Sequence, residues 1–322
     1  MQDTTIAIEC KDLGRKYETR GRKDKKETTA LQGLNLTVRR GSVFGLLGPN
    51  GAGKTTTVRI LATLLTPSSG SAAVMGFDVD KQANEVRRRI GLVLGGERGL
   101  YRSLTGRENL RYFAALNDIA PKLARVHIDE LLEAVGLNDA GDTRVEEYSR
   151  GMRQRLHIAR GLLNDPDIIL LDEPTIGLDP IGALELRQMI PELASQGKTI
   201  FLTTHYMLEA DLLCETVCLI NHGAVVAMGS PTEIKQRFSK TRIIEVTCTD
   251  LSPVSEKLRV IPQVGRVESR IDGVFQKLTL HIEEGAIIQK EIAECLGEGV
   301  IESMVEREPN LEEAYISILG RN

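Results

Sequence analysis

The segment 48–55 reads GPNGAGKT and directly follows the apolar run 43–47, and no other feature constrains the fold of this chain as strongly. Its spacing matches G-x-x-x-x-G-K-[ST], the pattern of a glycine-rich loop that joins a buried strand to a helix and encloses phosphate groups. The glycines let successive backbone N–H groups point at one anion, and the positive end of the following helix adds to their attraction. Lys54 is then placed to reach the β- and γ-phosphates, and the Thr55 hydroxyl to ligate Mg²⁺. The segment therefore predicts binding of a nucleoside triphosphate.

The length of the chain indicates the number of domains, and its net charge limits the classes of molecule that it can bind. A chain of 322 residues is long enough for two domains, since one hydrophobic core rarely serves more than about 250–300 residues. The net charge of −4 gives no overall basic field for holding nucleic acid or an anionic membrane. We expect the basic residues between 20 and 26 to form a solvated surface loop, with contact to lipid headgroups as the alternative.

No segment approaches the roughly 18 consecutive apolar residues of a membrane helix, and no apolar signal core opens the chain, so we expect it neither to span a membrane nor to be exported.

Hydrophobic periodicity gives an α/β order in the first two thirds of the chain. Short, wholly apolar strands are predicted at 42–47, 168–172 and 199–203, each buried in a sheet that is covered on both faces. A helix is predicted at 153–164, and the polar-rich helical pattern over 100–137 indicates a helical subdomain inserted at about 98–160. We therefore assign residues 1–238 to one α/β domain.

The composition changes after Pro231, and residues 239–322 are predicted to form a small accessory α+β domain. Its pattern is β-α-β-β-α-β, the ferredoxin-like order, followed by one more helix. Asp272-Gly273 between two alternating runs is a strong hairpin signal. The predicted strands are 243–248, 265–271, 274–282 and 300–306, and the predicted helices between them are 252–260 and 285–296.

Two strands of the first domain end in titratable side chains. The run 168–171 leads into Asp172 and Glu173, and the strand at 199–203 leads to His205. Ligands of open α/β sheets collect at the carboxyl ends of the strands, so we expect these groups to share one edge with the phosphate loop. Asp172 is suited to hold Mg²⁺, Glu173 to deprotonate the attacking water, and His205 to contact the γ-phosphate. A lone histidine is more often structural, so only its position recommends His205.

A second anion site is predicted at the start of the 153–164 helix. Ser149 is suited to cap this helix, and Gly151 permits close approach of the backbone to a ligand. One phosphate-binding helix suffices for one nucleotide. A second in the same domain therefore suggests a triphosphate held between two copies of the chain, each of which supplies one half of the site.

Three motifs together resemble those of the ATP-binding subunits of ABC transporters, namely GPNGAGKTT, YSRGM at 148–152 and IILLDEP at 168–174. The resemblance covers roughly the first 235 residues. It implies an ABC ATPase with the P-loop NTPase fold, ATP and Mg²⁺ as its ligands, and a location at the cytoplasmic face of the cell membrane. It also implies two partners, a second ATP-binding subunit, identical in the simplest case, and a separate integral membrane permease. The forms YSRGMRQRL, TTHYMLEAD and PNLEEAYISIL look more specifically like drug-, lipid- or polysaccharide-export members.

The same resemblance extends the set of site residues. Tyr17 looks like the aromatic residue that stacks on adenine, Asp179 like the D-loop aspartate and His205 like the switch histidine. The glutamine that usually ligates Mg²⁺ is missing, and we expect Glu97 to replace it. Lys54, Glu173 and His205 are the expected catalytic residues, and Thr55, Asp172 and Glu97 the expected metal ligands. The residues expected to bind ATP are Tyr17, Gly48, Pro49, Asn50, Gly51, Ala52, Gly53, Lys54, Thr55, Thr56, Ser149, Gly151 and Asp179.

Other functions remain open from the sequence alone. The main alternative is a soluble ABC ATPase in DNA repair or on the ribosome, although such proteins generally carry tandem cassettes, coiled coils or zinc modules, which this sequence lacks. A further alternative is a regulator whose ferredoxin-like domain binds a small ligand and gates the ATPase. That domain is equally compatible with a role in dimerisation or stability.

Overall fold

The computed structural model describes residues 5–20, 25–95, 99–238, 241–249, 255–283, 288–297 and 299–319. It divides the chain into two compact units, Met1–Pro231 and Thr232–Asn322. The sequence placed the boundary seven residues later than this division, after residue 238, where the helix Pro231–Phe238 ends.

The N-terminal unit alternates strands and helices over most of its length. Its strands are β1 (Ile6–Arg20), β2 (Lys25–Arg39), β3 (Val43–Leu47), β4 (Ser69–Val74), β5 (Phe77–Asp78), β6 (Ile90–Val93), β7 (Ile168–Asp172), β8 (Thr199–Thr204), β9 (Thr216–Asn221) and β10 (Ala224–Gly229). Its helices are α1 (Lys54–Leu61), α2 (Ala83–Arg87), α3 (Gly106–Leu116), α4 (Pro121–Ala134), α5 (Arg150–Leu162), α6 (Pro180–Ser195) and α7 (Met207–Leu213), with a 3₁₀ turn at Val145–Glu147.

A six-stranded sheet with the order β10-β9-β3-β8-β7-β6 forms the centre of this unit. Strands β3 and β6 to β9 are parallel, and β10 pairs antiparallel to β9 at one edge. The strands predicted at 42–47, 168–172 and 199–203 are confirmed as β3, β7 and β8, and every residue in them is buried. Because parallel strands share their carboxyl ends, the segments that follow these three neighbouring strands meet at one edge of the sheet.

A second, antiparallel sheet was not predicted from the sequence. Its order is β2-β1-β4-β5, and β1 and β2 form a long hairpin. The prediction of a surface loop for the basic cluster is wrong in part, because the backbone pairing of the hairpin extends to Arg20 and Lys25. Lys26 likewise belongs to β2, opposite Thr19. Arg22 and Lys23 lie outside the described residues.

The helical pattern over 100–137 corresponds to two helices, α3 and α4, with a short connection at 117–120. A capping box starts α3, in which the Thr105 hydroxyl accepts the Glu108 N–H and the Glu108 carboxylate accepts the Thr105 N–H. The buried Asn109 side chain bonds both the N–H and the carbonyl of Tyr101. These bonds fix the entry to α3 relative to the segment that precedes it.

The C-terminal unit has the ferredoxin-like topology that the sequence predicted. Its elements are α8 (Pro231–Phe238), β11 (Thr241–Cys248), α9 (Ser255–Leu258), β12 (Val264–Asp272), β13 (Phe275–Glu283), α10 (Gln289–Leu296), β14 (Ile301–Arg307) and α11 (Leu311–Leu319). The sheet order is β12-β13-β11-β14 with antiparallel pairs throughout. Asp272 pairs with Phe275, which confirms the predicted Asp-Gly hairpin. Alternate residues of β11 and β13 form the core of this unit together with α9 and α10.

Candidate functional site

The phosphate loop connects β3 to α1, as its motif predicts. Gly48 packs so closely on β9 that a Cβ at this position would lie 2.2 Å from the Ile220 carbonyl oxygen. Gly53, the N-cap of α1, has a φ of 111°, a left-handed conformation that favours glycine. Lys54 is only 4% exposed, and its Nζ donates to the carbonyl oxygens of Gly48 at 2.8 Å and Pro49 at 3.1 Å. The ammonium group therefore lies against the loop that is expected to hold phosphate.

Asp172 lies beside the first turn of α1. The Thr55 hydroxyl donates to Asp172 Oδ1 at 3.2 Å, and the Thr203 hydroxyl, from the next strand, donates to the same oxygen at 2.6 Å. Asp172 is buried. Two hydroxyls thus fix the carboxylate next to the residue that the motif assigns to Mg²⁺.

Glu173 connects the lysine of the phosphate loop to the histidine at the end of β8. Its Oε1 lies 3.0 Å from Lys54 Nζ, and its Oε2 lies 2.7 Å from His205 Nδ1. The φ of Glu173 is +49°, an uncommon value for a residue with a side chain. Its N–H bonds the carbonyl of Thr203 at 3.0 Å, so the neighbouring strand holds the turn that directs this carboxylate toward Lys54.

Tyr17, on β1, approaches the same helix from the second sheet. Its hydroxyl lies 3.4 Å from the Thr56 hydroxyl, one position beyond Thr55. The Arg15 guanidinium lies 5.0 Å from the centroid of the Tyr17 ring and donates to the Thr66 carbonyl at 2.7 Å. The aromatic ring is thus held near the start of α1.

The remaining predicted residues gather at the N-terminal ends of α5 and α6. Ser149 caps α5 by accepting the Met152 N–H, and Asp179 caps α6 by accepting the Gly182 N–H at 2.7 Å. A Cβ on Gly151 would lie 3.4 Å from the Gly182 Cα, so the two helix ends lie side by side. Ser149 and Asp179 are both exposed.

The predicted site residues thus form two groups. The phosphate loop, Asp172, Glu173, His205 and Tyr17 surround the start of α1, whereas Ser149, Gly151 and Asp179 lie together at the paired helix ends. Glu97 lies outside the described residues. Sequence reasoning missed Thr203 and Arg15, although Thr203 is visible in retrospect as a hydroxyl two positions before His205 at a strand end.

The oxygen donors at Thr55 and Asp172 fit Mg²⁺. This ion prefers oxygen ligands, retains several waters and is usually bound by one or two protein side chains together with substrate phosphates. Within the described ranges, no group of three or more His, Cys, Asp or Glu residues is placed to hold a metal on its own. An ion held by Thr55 and Asp172 would therefore take its remaining ligands from water and from a bound phosphate.

Comparison with known proteins identifies the family. A family model described as "ABC transporter" matches residues 31–176, and one described as "ATP-binding protein DrrA1-3-like, C-terminal domain" matches residues 229–319. The daunorubicin resistance ATP-binding protein DrrA3 of Streptomyces coeruleorubidus is 38% identical over 322 residues, covering 99% of this chain and 97% of that protein. The chain belongs to the ATP-binding subunits of ABC transporters. It is an ATPase that binds and hydrolyses ATP, and the predicted resemblance to the export-type members is confirmed.

Two further comparisons concern a relative named for export and a solved structure of a dimeric cassette. The fluoroquinolones export ATP-binding protein Rv2688c of Mycobacterium tuberculosis is 38% identical over 294 residues, which cover 91% of this chain and 88% of that protein. The dimeric structure of the ATP-binding cassette MJ0796, in a post-hydrolysis state bound to ADP and Pi, matches with a TM-score of 0.61 and 27% identity. The match covers 69% of this chain and 98% of that one. These relatives support the transporter function and not the DNA-repair alternative.

No helix in the described ranges combines the length and the apolar character that crossing a membrane requires.

Proposed function

We propose that two copies of this subunit close head to tail on two Mg-ATP, and that the cycle of closure and hydrolysis drives export through a separate membrane permease. The observation that carries the proposal is the contact of Glu173 with both Lys54 and His205 beside the phosphate loop. A base, a cation and an imidazole thus converge where a γ-phosphate would lie, as hydrolysis of a phosphoanhydride requires.

Each group has a distinct proposed role. Lys54 neutralises charge on the β- and γ-phosphates, Glu173 accepts the proton of the attacking water, and His205 contacts the γ-phosphate and orients Glu173. Thr55 and Asp172 would hold Mg²⁺, and we assign Glu97 to the same ion in place of the missing glutamine. When bound, the ion neutralises charge that develops on the phosphate oxygens.

The second half of each site would come from the partner subunit. Ser149 and Gly151 present a helix N-terminus, which favours an anion, and Asp179 lies beside them. These residues are separate from the Lys54 group within one chain, and the exposure of Ser149 and Asp179 leaves them accessible to a second copy. The dimeric state of the MJ0796 cassette supports this arrangement.

The helical subdomain is the proposed contact with the permease. Its surface carries large apolar side chains that are at least 40% exposed, an unusual concentration for a surface in water. They are Tyr101, Tyr112, Leu116, Leu123 and Val126. Docking there would place this subunit at the cytoplasmic face of the cell membrane as a peripheral protein. Two relatives that are equally similar to this chain are named for different compounds, one for daunorubicin resistance and one for fluoroquinolone export. We therefore assign the choice of the transported compound to the permease and not to this subunit.

Purification of the complex tests the proposal. Tagged Glu173→Gln protein would be purified with Mg-ATP from detergent-solubilised cells of its source, and the bound proteins identified. We expect a polytopic membrane protein to co-purify. Recovery of soluble proteins or nucleic acid alone would contradict a transport function.

The role of Tyr17 gives a separate prediction. Replacing Tyr17 with Ala should weaken ATP binding by about 5–150-fold, because stacking of a base on an aromatic ring contributes roughly 1–3 kcal/mol. Tyr17→Phe keeps the ring and loses only the contact with Thr56, so its affinity should stay close to that of the unmodified protein. Titration with a fluorescent ATP analogue measures both variants. Equal affinities for Tyr17→Ala and Tyr17→Phe would remove Tyr17 from the adenine site.

A further inference from the structure

Glu209 is a buried carboxyl group that the proposed mechanism does not use. It lies on α7, four positions after His205, and only 1% of its surface is exposed. Burying a carboxyl group is costly unless hydrogen bonds or opposite charges compensate for the lost water. The groups that contact the Glu209 carboxyl should therefore indicate which part of the structure this side chain stabilises.

Glu209 contacts the two segments that carry the proposed catalytic residues. The Thr175 hydroxyl donates to Glu209 Oε2 at 3.1 Å. Thr175 is two positions after Glu173, beyond the end of β7. The Glu209 N–H donates at 3.1 Å to the carbonyl of Tyr206, the residue directly after His205. Glu209 thus joins the segment of Glu173 to the segment of His205.

The second carboxyl oxygen of Glu209 faces α6. Its nearest cationic partner is Arg187, whose Nε lies 3.8 Å from Oε1, too far for a hydrogen bond. Burial raises the pKa of the Glu209 carboxyl, while the bond from Thr175 and the charge of Arg187 act in the opposite direction. The Thr175 hydroxyl therefore supplies a close contact that holds this group in place.

We propose that Glu209 is a positioning residue, which sets the separation of Glu173 and His205 by holding Thr175 beside the first turn of α7, the helix that begins two positions after His205. The inference rests on the proposed roles of Glu173 and His205. The 2.7 Å contact between those two side chains requires the ends of β7 and β8 to keep a fixed spacing beyond the last ladder bonds. A displacement of about 1 Å at a reacting group can lower a rate by about 10²-fold.

The test separates positioning from folding. Glu209→Gln keeps the size and one acceptor oxygen but places an amide beside Arg187, and Thr175→Val removes the hydroxyl with little change in volume. Both variants should lower kcat by about 10–100-fold, while the Kd for a fluorescent ATP analogue and the Tm change little. Thr175→Ser retains the hydroxyl and should keep kcat near that of the unmodified protein. Combining Glu209→Gln with Thr175→Val should be no worse than the more severe single variant, because both act on one contact.

Two references make the result decisive. Glu192→Gln, on an exposed part of α6, is the matched control and should leave kcat unchanged. Glu173→Gln is measured in parallel. If it is inactive while Glu209→Gln and Thr175→Val keep kcat within twofold, the positioning role is wrong and the catalytic proposal stands. If Glu173→Gln remains active, the catalytic proposal itself is wrong. If Glu209→Gln lowers the Tm strongly, the inference is tested instead by comparing kcat for Thr175→Val with kcat for Thr175→Ser. Equal kcat values for these two variants would overturn the inference.

Discussion

Replacing Glu173 with Gln is expected to lower kcat for ATP hydrolysis by about 10²–10⁴-fold, the usual contribution of a positioned general base. The amide keeps the shape of the side chain and can still accept a hydrogen bond from Lys54, which lies 3.0 Å from Oε1 in the structure. It cannot accept a proton from water. The expected defect is therefore in the chemical step and not in the fold.

ATP binding should survive this substitution or become tighter. The Glu173 carboxylate lies between Lys54 and His205, so its charge faces the place where the γ-phosphate would lie. Removing one negative charge there reduces repulsion of the phosphate and leaves Lys54 free to pair with it. A binding-competent subunit that does not hydrolyse should accumulate as a dimer with bound nucleotide.

Steady-state phosphate release measures the loss of kcat, and light scattering with and without Mg-ATP measures the dimer. Glu192→Gln serves again as the control, because it removes an exposed carboxylate from the same unit. A Glu173→Gln protein that hydrolyses ATP normally would exclude this carboxylate as the base. A monomer that binds ATP without dimerising would instead contradict the shared site.

The central sheet and its site were predictable because short-range patterns specify both. A wholly apolar run marks each of β3, β7 and β8, and the polar residue that ends each run must lie at the shared carboxyl edge of a parallel sheet. Asp172, Glu173 and His205 could therefore be placed beside Lys54 from the sequence. The Asp272-Gly273 turn fixed the hairpin of the C-terminal sheet in the same way, because its residue types favour one kind of turn.

The antiparallel sheet of the N-terminal unit escaped prediction because its pattern is irregular. The register between β1 and β2 shifts at several points, including those between Cys10 and Leu13 and between Leu13 and Arg15. Each such irregularity interrupts the alternation of inward and outward side chains that indicates a strand. The charged residues from Arg20 to Lys26 added a composition typical of loops.

Side-chain contacts between segments far apart in the chain could not be predicted from the sequence either. Thr175 and Glu209 are separated by 34 positions, and the bond between them depends on how α7 packs against the ends of β7 and β8. Arg15 and Thr66 meet in the same way, 51 positions apart. No local pattern indicates such a pair, because neither residue type nor spacing determines which side chains tertiary packing brings together.

The head-to-tail site predicts that two inactive variants restore activity when mixed. Lys54→Met removes the cation of the phosphate loop, and Ser149→Arg removes the cap of α5 and places a long side chain at its exposed end. Each variant alone should be inactive, because both sites of its dimer contain the defect. A mixed dimer combines the intact Lys54 of one chain with the intact Ser149 of the other in one of its two sites.

The amount of restored activity is set by symmetry. Random pairing at equal concentrations makes about half of the dimers mixed, and each has one intact site of two, so about one quarter of the unmodified activity should return if the sites act independently. Phosphate release is measured for each variant alone and for the mixture at the same total concentration. Mixing Lys54→Met with Lys54→Met,Ser149→Arg is the control and should restore nothing, because neither chain carries an intact Lys54. Activity equal to the mean of the two separate variants would mean that Lys54 and Ser149 do not act across a dimer, and Ser149 would then keep only its role as the cap of α5.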